Sequence, residues 1–347
     1  MSAKETTTRP SSWGGAAFRG GEPSPEQMLD MYYYLCLARA VDERMWALQR
    51  SGRAAFVISG QGHEGAQVGA AYALDRDRDW LVPFYRSVAA VLVKGMPPEE
   101  IFLIQLGRDT DPSSGGRQMP GHYGHSQHKI LSTSSPVATQ LLHAVGIGYA
   151  AKLRGTGEVC LTELGEGSTS EGDFHEALNF ASVHRVPVVF VVENNGYAIS
   201  VPVAKQMAVP NVSIRAAGYD MPGVTVNGSH VLEVYAAARE AVDRARSGGG
   251  PTLLEVIVPR LTAHSSDDSQ EKYRPAEELA HLSERDPVRV YTEELRGRGV
   301  LSAAREQEIR QRIQREVDLG TEAAEAAPLP DPASATRYIY WEPGTGH

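Results

Sequence analysis

Glu166, set between Gly165 and Gly167, and the pair Asn194-Asn195 are the residues whose types and spacing suggest chemistry; all lie within the stretch Glu158 to Ser200. Glu and Asn offer hard oxygens of the kind magnesium or calcium prefers, and magnesium keeps one or two protein oxygens while taking others from phosphate. Gly165 and Gly167 let the backbone approach a bulky group, and the N–H groups around Ser168 and Thr169 can point at an anion. The set reads as a metal-bridged diphosphate site. A glycine turn after a strand is ordinary on its own. A carboxylate inside the turn and an Asn pair after the next strand favour the phosphate reading.

Two continuous apolar runs, Val159 to Thr162 and Pro187 to Val192, flank the turn and read as parallel strands buried on both faces. Between them Ser170 is the expected helix cap, with Glu171 and Asp173 as early acids and Phe174, Ala177, Leu178 and Ala181 at helical spacing. This is a strand–helix–strand crossover, with Glu166 and Asn195 at the C-terminal strand ends where open parallel sheets bind ligands. Elsewhere Ser24-Pro25 opens a helix running toward Gly52, Phe56 to Gly62 is a loop without pattern, and Glu64 to Leu74 suits a closely packed helix. Trp80 to Phe84 reads as a strand followed by Tyr85-Arg86, and Thr252 to Val258 as a further strand followed by His264. Ser134-Ser135-Pro136-Val137 is expected to open a helix holding Leu141 and Val145; Glu306 to Ala326 reads as a charged, peripheral helix. The fold class is α/β, a central and mainly parallel sheet with helices on both faces. One domain over 24–326 is expected, with a flexible arm over 1–23 and a tail over 327–347 whose Tyr338-Ile339-Tyr340-Trp341 suits docking to another subunit.

The 347 residues are 41% hydrophobic, enough for a sizeable core. The net charge of −9, from 34 basic and 43 acidic residues without a basic block, argues against nucleic acid or an anionic membrane as partner. No apolar run approaches the roughly 20 residues of a membrane helix. Cys36 and Cys160 sit in apolar settings and read as buried free thiols, which fits a reducing cytoplasm. His122, His125 and His128 invite a zinc reading, rejected because no cysteine or acidic ligand accompanies them.

Gly165-Glu166-Gly167 followed by Asn194-Asn195 resembles the thiamine-diphosphate motif, and the longer string resembles the alpha subunits of branched-chain 2-oxo acid dehydrogenases, close relatives of pyruvate dehydrogenase alpha subunits. The resemblance spans about Ser24 to Asp331. It implies the thiamine-diphosphate-binding fold and oxidative decarboxylation of a branched-chain 2-oxo acid such as 3-methyl-2-oxobutanoate, with acyl transfer to a lipoyl group. By the same resemblance Glu166, Asn195 and the Tyr197 carbonyl hold Mg2+. Tyr85, Arg86, Gly165, Gly167, Ser168 and a catalytic His264 surround the diphosphate, and Ser135 and Val137 approach the aminopyrimidine. Ser134, Pro136, Thr139 and Gln140 match a potassium site, GRQMPGHYG matches a loop near the active-site entrance, and Ser265 matches a phosphorylated position in mammalian relatives. Some relatives carry an arginine before the Asn pair; Glu193 stands there and is expected to repel a diphosphate.

The family's activating glutamate comes from a beta subunit, and no second cofactor half is found in the sequence. A heterotetramer of two alpha and two beta chains serving a lipoyl acyltransferase core is therefore implied. Pyruvate or acetoin dehydrogenase alpha subunits are the alternative within this class. A non-catalytic nucleotide-binding regulatory module, using the same strand–turn–helix edge, is the alternative outside it.

Overall fold

Every residue of Val188–Asn194 is buried, which a strand achieves only when both faces of its sheet are covered. The computed structural model describes residues 21–133, 135–337 and 339–340. In chain order its elements begin with α1 (Pro25–Arg50), α2 (Glu64–Tyr72), β1 (Trp80–Val82), α3 (Val88–Lys94), α4 (Pro98–Gln105), α5 (Thr139–Arg154) and β2 (Cys160–Gly165). They continue with α6 (Gly172–Val183), β3 (Val188–Asn194), the hairpin β4 (Tyr197–Ala198) and β5 (Val201–Pro202), α7 (Val203–Gln206), β6 (Gly223–Asn227) and α8 (Val231–Arg246). Last come β7 (Thr252–Ile257), α9 (Ala276–His281), α10 (Pro287–Gly297) and α11 (Ala303–Ala326).

The main sheet is parallel throughout, in the order β1-β2-β3-β7-β6. Side chains alternate across it. Leu161, Val189, Val191, Leu254 and Val256 join a core with α1–α4, α8, α10 and α11 on one face. Cys160, Leu164, Val188, Phe190, Val192 and Leu253 join another with α5 and α6 on the opposite face. Both cysteines are free and buried, as the sequence suggested.

Three local expectations are corrected. The Ser134/Ser135 opening of α5 is not a cap: the helix starts at Thr139 after Ala138, whose φ of 70° is left-handed. The Ser135 hydroxyl is instead engaged with His122 Nε2 at 2.9 Å. Ser134 itself lies outside the described residues. Ser170 does not cap α6 either; Glu166–Ser170 forms a 3-10 turn and α6 begins at Gly172 behind an extended Glu171. Finally, α11 is not peripheral. Its Ile309, Ile313 and Val317 are buried, and a Cβ on Gly320 would come within 2.8 Å of the Glu99 backbone nitrogen.

The first core also contains carboxyl groups. Glu163 and Glu193 are fully buried, and neither Glu163 oxygen has a hydrogen-bond partner among the described residues. Burial pushes the Glu163 carboxyl up to about 8. The folded chain then keeps a proton that the unfolded chain releases near 4.5. Stability is accordingly full below about pH 4.5 and is lost as pH rises through 8, at most about 1.4 kcal/mol per pH unit. Glu163→Gln, with no proton to lose, is expected to flatten this decline in urea unfolding between pH 5 and 8. Identical slopes for variant and wild type would exclude the effect.

Candidate functional site

The sheet's C-terminal edge gathers residues far apart in sequence, because parallel strands all end there. Gly165 lies beside Glu193 and Asn194 beside Ile257 in the strand register; Tyr85-Arg86 follows β1 and His264 follows β7.

At the centre Glu166 is 1% exposed. Its Oε2 accepts the Asn195 backbone N–H at 3.3 Å, while Oε1 is buried without a partner. Burial raises this carboxyl from its ordinary value. Asn195 Oδ1 accepts the Tyr197 N–H at 3.1 Å, and Gly196 between them adopts φ 87°, a turn that favours glycine. A buried carboxylate oxygen with a free lone pair, next to an amide oxygen and a turn carbonyl, is the donor chemistry a hard divalent cation takes. These residues fit such an ion. Among the described residues no group of three or more His, Cys, Asp and Glu is arranged to hold a metal, so a cation here would rest on mixed oxygen ligands.

The positive side of the site comes from Arg86 and Arg260. Arg86, 2% exposed, donates to the Ser59 carbonyl, and to the His264 carbonyl and Nδ1 at 3.3–3.4 Å. Arg260 is fully buried, donates to Ile199 O and Tyr273 Oη, and lies over the rings of Tyr197 and Tyr273. The hydrogen-bond partners of both are uncharged, which leaves each guanidinium able to meet an anion. Tyr85 packs beside Arg86, its ring 5.4 Å from the guanidinium and 6.1 Å from the His264 ring. Burial, then the charges of Arg86 and Arg260, hold His264 down at about 4. It is neutral near pH 7.

The structure brings together Tyr85, Arg86 and His264 at one corner, and Glu166, Asn195 and Tyr197 at the turn. The glycines divide. A Cβ on Gly165 would meet nothing within 4 Å, whereas one on Gly167 would reach Ala198 Cβ at 2.8 Å. Gly167 is thus needed for packing against β4, a different reason from the approach of a bulky group. Ser168 is buried in the same turn. Ser135 Oγ pairs with His122 Nε2 at 2.9 Å, and Val137 is exposed. Of the potassium set, Gln140 donates to the Glu163 carbonyl at 3.0 Å and Thr139 is the first residue of α5; Pro136 lies in the loop before it, and Ser134 is outside the described residues. The three histidines of the 122–128 loop do not converge: His122 bonds Met119 O and Ser135, while His125 and His128 stack at 4.2 Å.

Glu193 departs from its expectation. Its side chain turns into the core, where Oε2 meets His63 Nδ1 at 2.6 Å and Gln67 Nε2 at 3.1 Å. Burial, then neighbouring Glu163, raise its carboxyl well above the ordinary value. That favours its uncharged form, and the side chain is directed at His63 and Gln67 and not at the edge. Sequence reasoning missed His63, Gln67 and Arg260. Arg260 had a usable signal, since it closely follows β7 at the same edge as Arg86; His63 and Gln67 had none.

Residues 32–333 match the family model described as "Dehydrogenase E1 component". The chain is 50% identical to the 2-oxoisovalerate dehydrogenase subunit alpha of Bacillus subtilis, over 91% of this chain and 96% of that one. It is 41% identical to the 3-methyl-2-oxobutanoate dehydrogenase subunit alpha of Mycobacterium tuberculosis, over 82% of this chain and 75% of the relative. It is 35% identical to the mitochondrial 2-oxoisovalerate dehydrogenase subunit alpha of Homo sapiens, over 91% and 71%. On this match and these identities the chain belongs to the dehydrogenase E1 component family, thiamine-diphosphate-dependent enzymes that decarboxylate 2-oxo acids.

Proposed function

We propose that the chain is the alpha subunit of a branched-chain 2-oxo acid dehydrogenase, acting on 3-methyl-2-oxobutanoate and passing the acyl group to a lipoyl acyltransferase core. The names of the relatives support this substrate class. The observation that carries the site reading is the orphaned, buried Oε1 of Glu166 beside Asn195. In this reading Glu166 Oε1, Asn195 Oδ1 and the Tyr197 carbonyl hold Mg2+. Arg86, Tyr85, His264 and the Gly165–Ser168 turn hold the diphosphate. Ser135 and Val137 face the aminopyrimidine, and Pro136, Thr139 and Gln140, with Ser134, hold K+.

The cofactor, when bound, supplies a nucleophilic carbon and an electron sink for loss of carbon dioxide. This chain's residues supply charge and orientation. The two arginines meet the diphosphate with fixed positive charge, and their rigid partners keep that geometry in place. Neutral His264 accepts from Arg86 at Nδ1, which leaves its proton on Nε2 as a donor toward the site.

A beta subunit completes the active site in this reading, in a tetramer of two alpha and two beta chains. Support comes from the exposed apolar side chains Leu142 and Leu153 on α5, Phe180 and Val183 on α6, and Val137 before α5. Exposed large apolar side chains, where they adjoin, suit protein contacts. The tail adds Ile339 and Tyr340, both exposed; Tyr338 and Trp341 lie outside the described residues. No helix among the described residues is long and apolar enough to cross a membrane, and the two free thiols support a cytoplasmic setting.

Three measurements check these points. Calorimetric titration of the reconstituted alpha–beta assembly with thiamine diphosphate and Mg2+ is expected to lose binding on Glu166→Ala or Asn195→Ala; full binding by both variants would favour a nucleotide-binding module instead. Steady-state kinetics of the assembly with its acyltransferase are expected to give a higher kcat/KM for 3-methyl-2-oxobutanoate than for pyruvate, and the reverse order would move the assignment to the pyruvate branch. The double change Phe180→Glu, Val183→Glu is expected to weaken association with the beta chain about tenfold or more, with the far-UV spectrum unchanged; undiminished co-elution on gel filtration would remove this face from the interface.

A further inference from the structure

His63 belongs to none of the motifs read from the sequence, yet it is fully buried directly behind the turn that carries Asn195. Its Nδ1 lies 2.6 Å from Glu193 Oε2, and its Nε2 lies 3.5 Å from Asn195 Nδ2. Glu193 is itself fixed, since Gln67 Nε2 donates to the same Oε2 at 3.1 Å while Gln67 Oε1 accepts the Ala89 N–H at 3.0 Å. A buried chain of hydrogen bonds therefore runs from the start of α3 through Gln67, Glu193 and His63 to the side chain of Asn195.

We propose that His63 is a positioning residue for Asn195, locking its amide so that Oδ1 faces the cation site. The proposal rests on the reading of Asn195 as a metal ligand. A neutral imidazole has one N–H and one lone pair. With the N–H on Nδ1 donating to Glu193, the lone pair on Nε2 receives the Asn195 N–H. The other end of the amide requires the same orientation, because Oδ1 accepts the Tyr197 N–H at 3.1 Å. Flipping the amide would set oxygen against the Nε2 lone pair and an N–H against the Tyr197 N–H. Both contacts would be lost together. Groups behind a metal ligand that fix its orientation commonly contribute ten- to hundredfold in metal affinity.

The test uses the chain reconstituted with its beta subunit and reads the Mg2+ concentration that half-saturates thiamine diphosphate binding, by calorimetry. His63→Leu removes both hydrogen bonds, whereas His63→Gln keeps a donor for Glu193 and an acceptor for Asn195. Expected is a rise of about ten- to hundredfold in the Mg2+ requirement for His63→Leu, with His63→Gln close to wild type. Should His63→Leu fail to fold, the pair His63→Leu, Glu193→Met replaces the polar contact with apolar packing, and the same rise is expected of it. A wild-type Mg2+ requirement in the Leu variant, with Asn195→Ala impaired, overturns the proposal while leaving Asn195 as ligand. Equal impairment of the Gln and Leu variants also overturns it, since the loss would then follow packing and not hydrogen bonding. An unchanged Mg2+ requirement in Asn195→Ala removes Asn195 from the cation site and the proposal with it.

Discussion

A polar atom buried without a hydrogen bond costs free energy comparable to the lost bond, and in this chain four such carboxylate oxygens collect at the ends of two adjacent strands. They belong to Glu163, Glu166 and Glu193, at the C-terminal ends of β2 and β3. A native structure holds few orphaned groups, and each calls for an explanation. The explanations differ by position. Glu163 and Glu193 face the core shared with α2 and α3, where burial raises both carboxyls and favours the form without charge. Glu166 lies at the open edge beside Asn195, and in the proposed reading a cation held there would satisfy its free oxygen.

Holding two arginines inside the protein with uncharged partners requires a scaffold that cannot relax around them. Asp42 provides part of it. Fully buried, it accepts from Ser59 Oγ, the Gly60 N–H and Gln61 Nε2 at 2.6–2.9 Å. That fixes the loop whose Ser59 carbonyl takes Arg86. Gly60 is close-packed as well, since a Cβ there would lie 3.1 Å from the Arg86 carbonyl. On the other side the Arg274 guanidinium donates to the Arg260 carbonyl at 2.7 Å and covers the Tyr197 ring. The charged edge is rigid because each cation is tied to backbone, which cannot rotate away as a side chain would.

The sheet was legible in the sequence because continuous apolar runs have few other uses in a chain of this length, and the turn was legible because Glu166 and Asn195 close strands of that kind. Hydroxyl caps were misread at Ser135 and Ser170 for a shared reason: each hydroxyl found a tertiary partner, His122 for one and Gln206 for the other. Propensity yields to such contacts. The Phe56 to Gly62 loop carried no pattern, since its order is imposed by Asp42 from a helix that precedes it. Glu193 was misjudged because its position next to Asn194 says nothing about which face of the strand it occupies. Alternation decides that, and the apolar run hides the alternation.

The pairing of Glu193 with His63 shows how a destabilising group can serve the site without touching a ligand. Burial disfavours the charged form of a carboxyl, whose oxygens still need donors. Glu193 takes them from Gln67 and His63, which ties the imidazole in one orientation. A well-packed leucine and methionine at these places would remove the cost of burying polar atoms, but would leave the Asn195 amide oriented by the Tyr197 N–H alone. What the core gives up in stability is returned as a fixed direction for one oxygen, and a hard cation is sensitive to the placement of each oxygen around it.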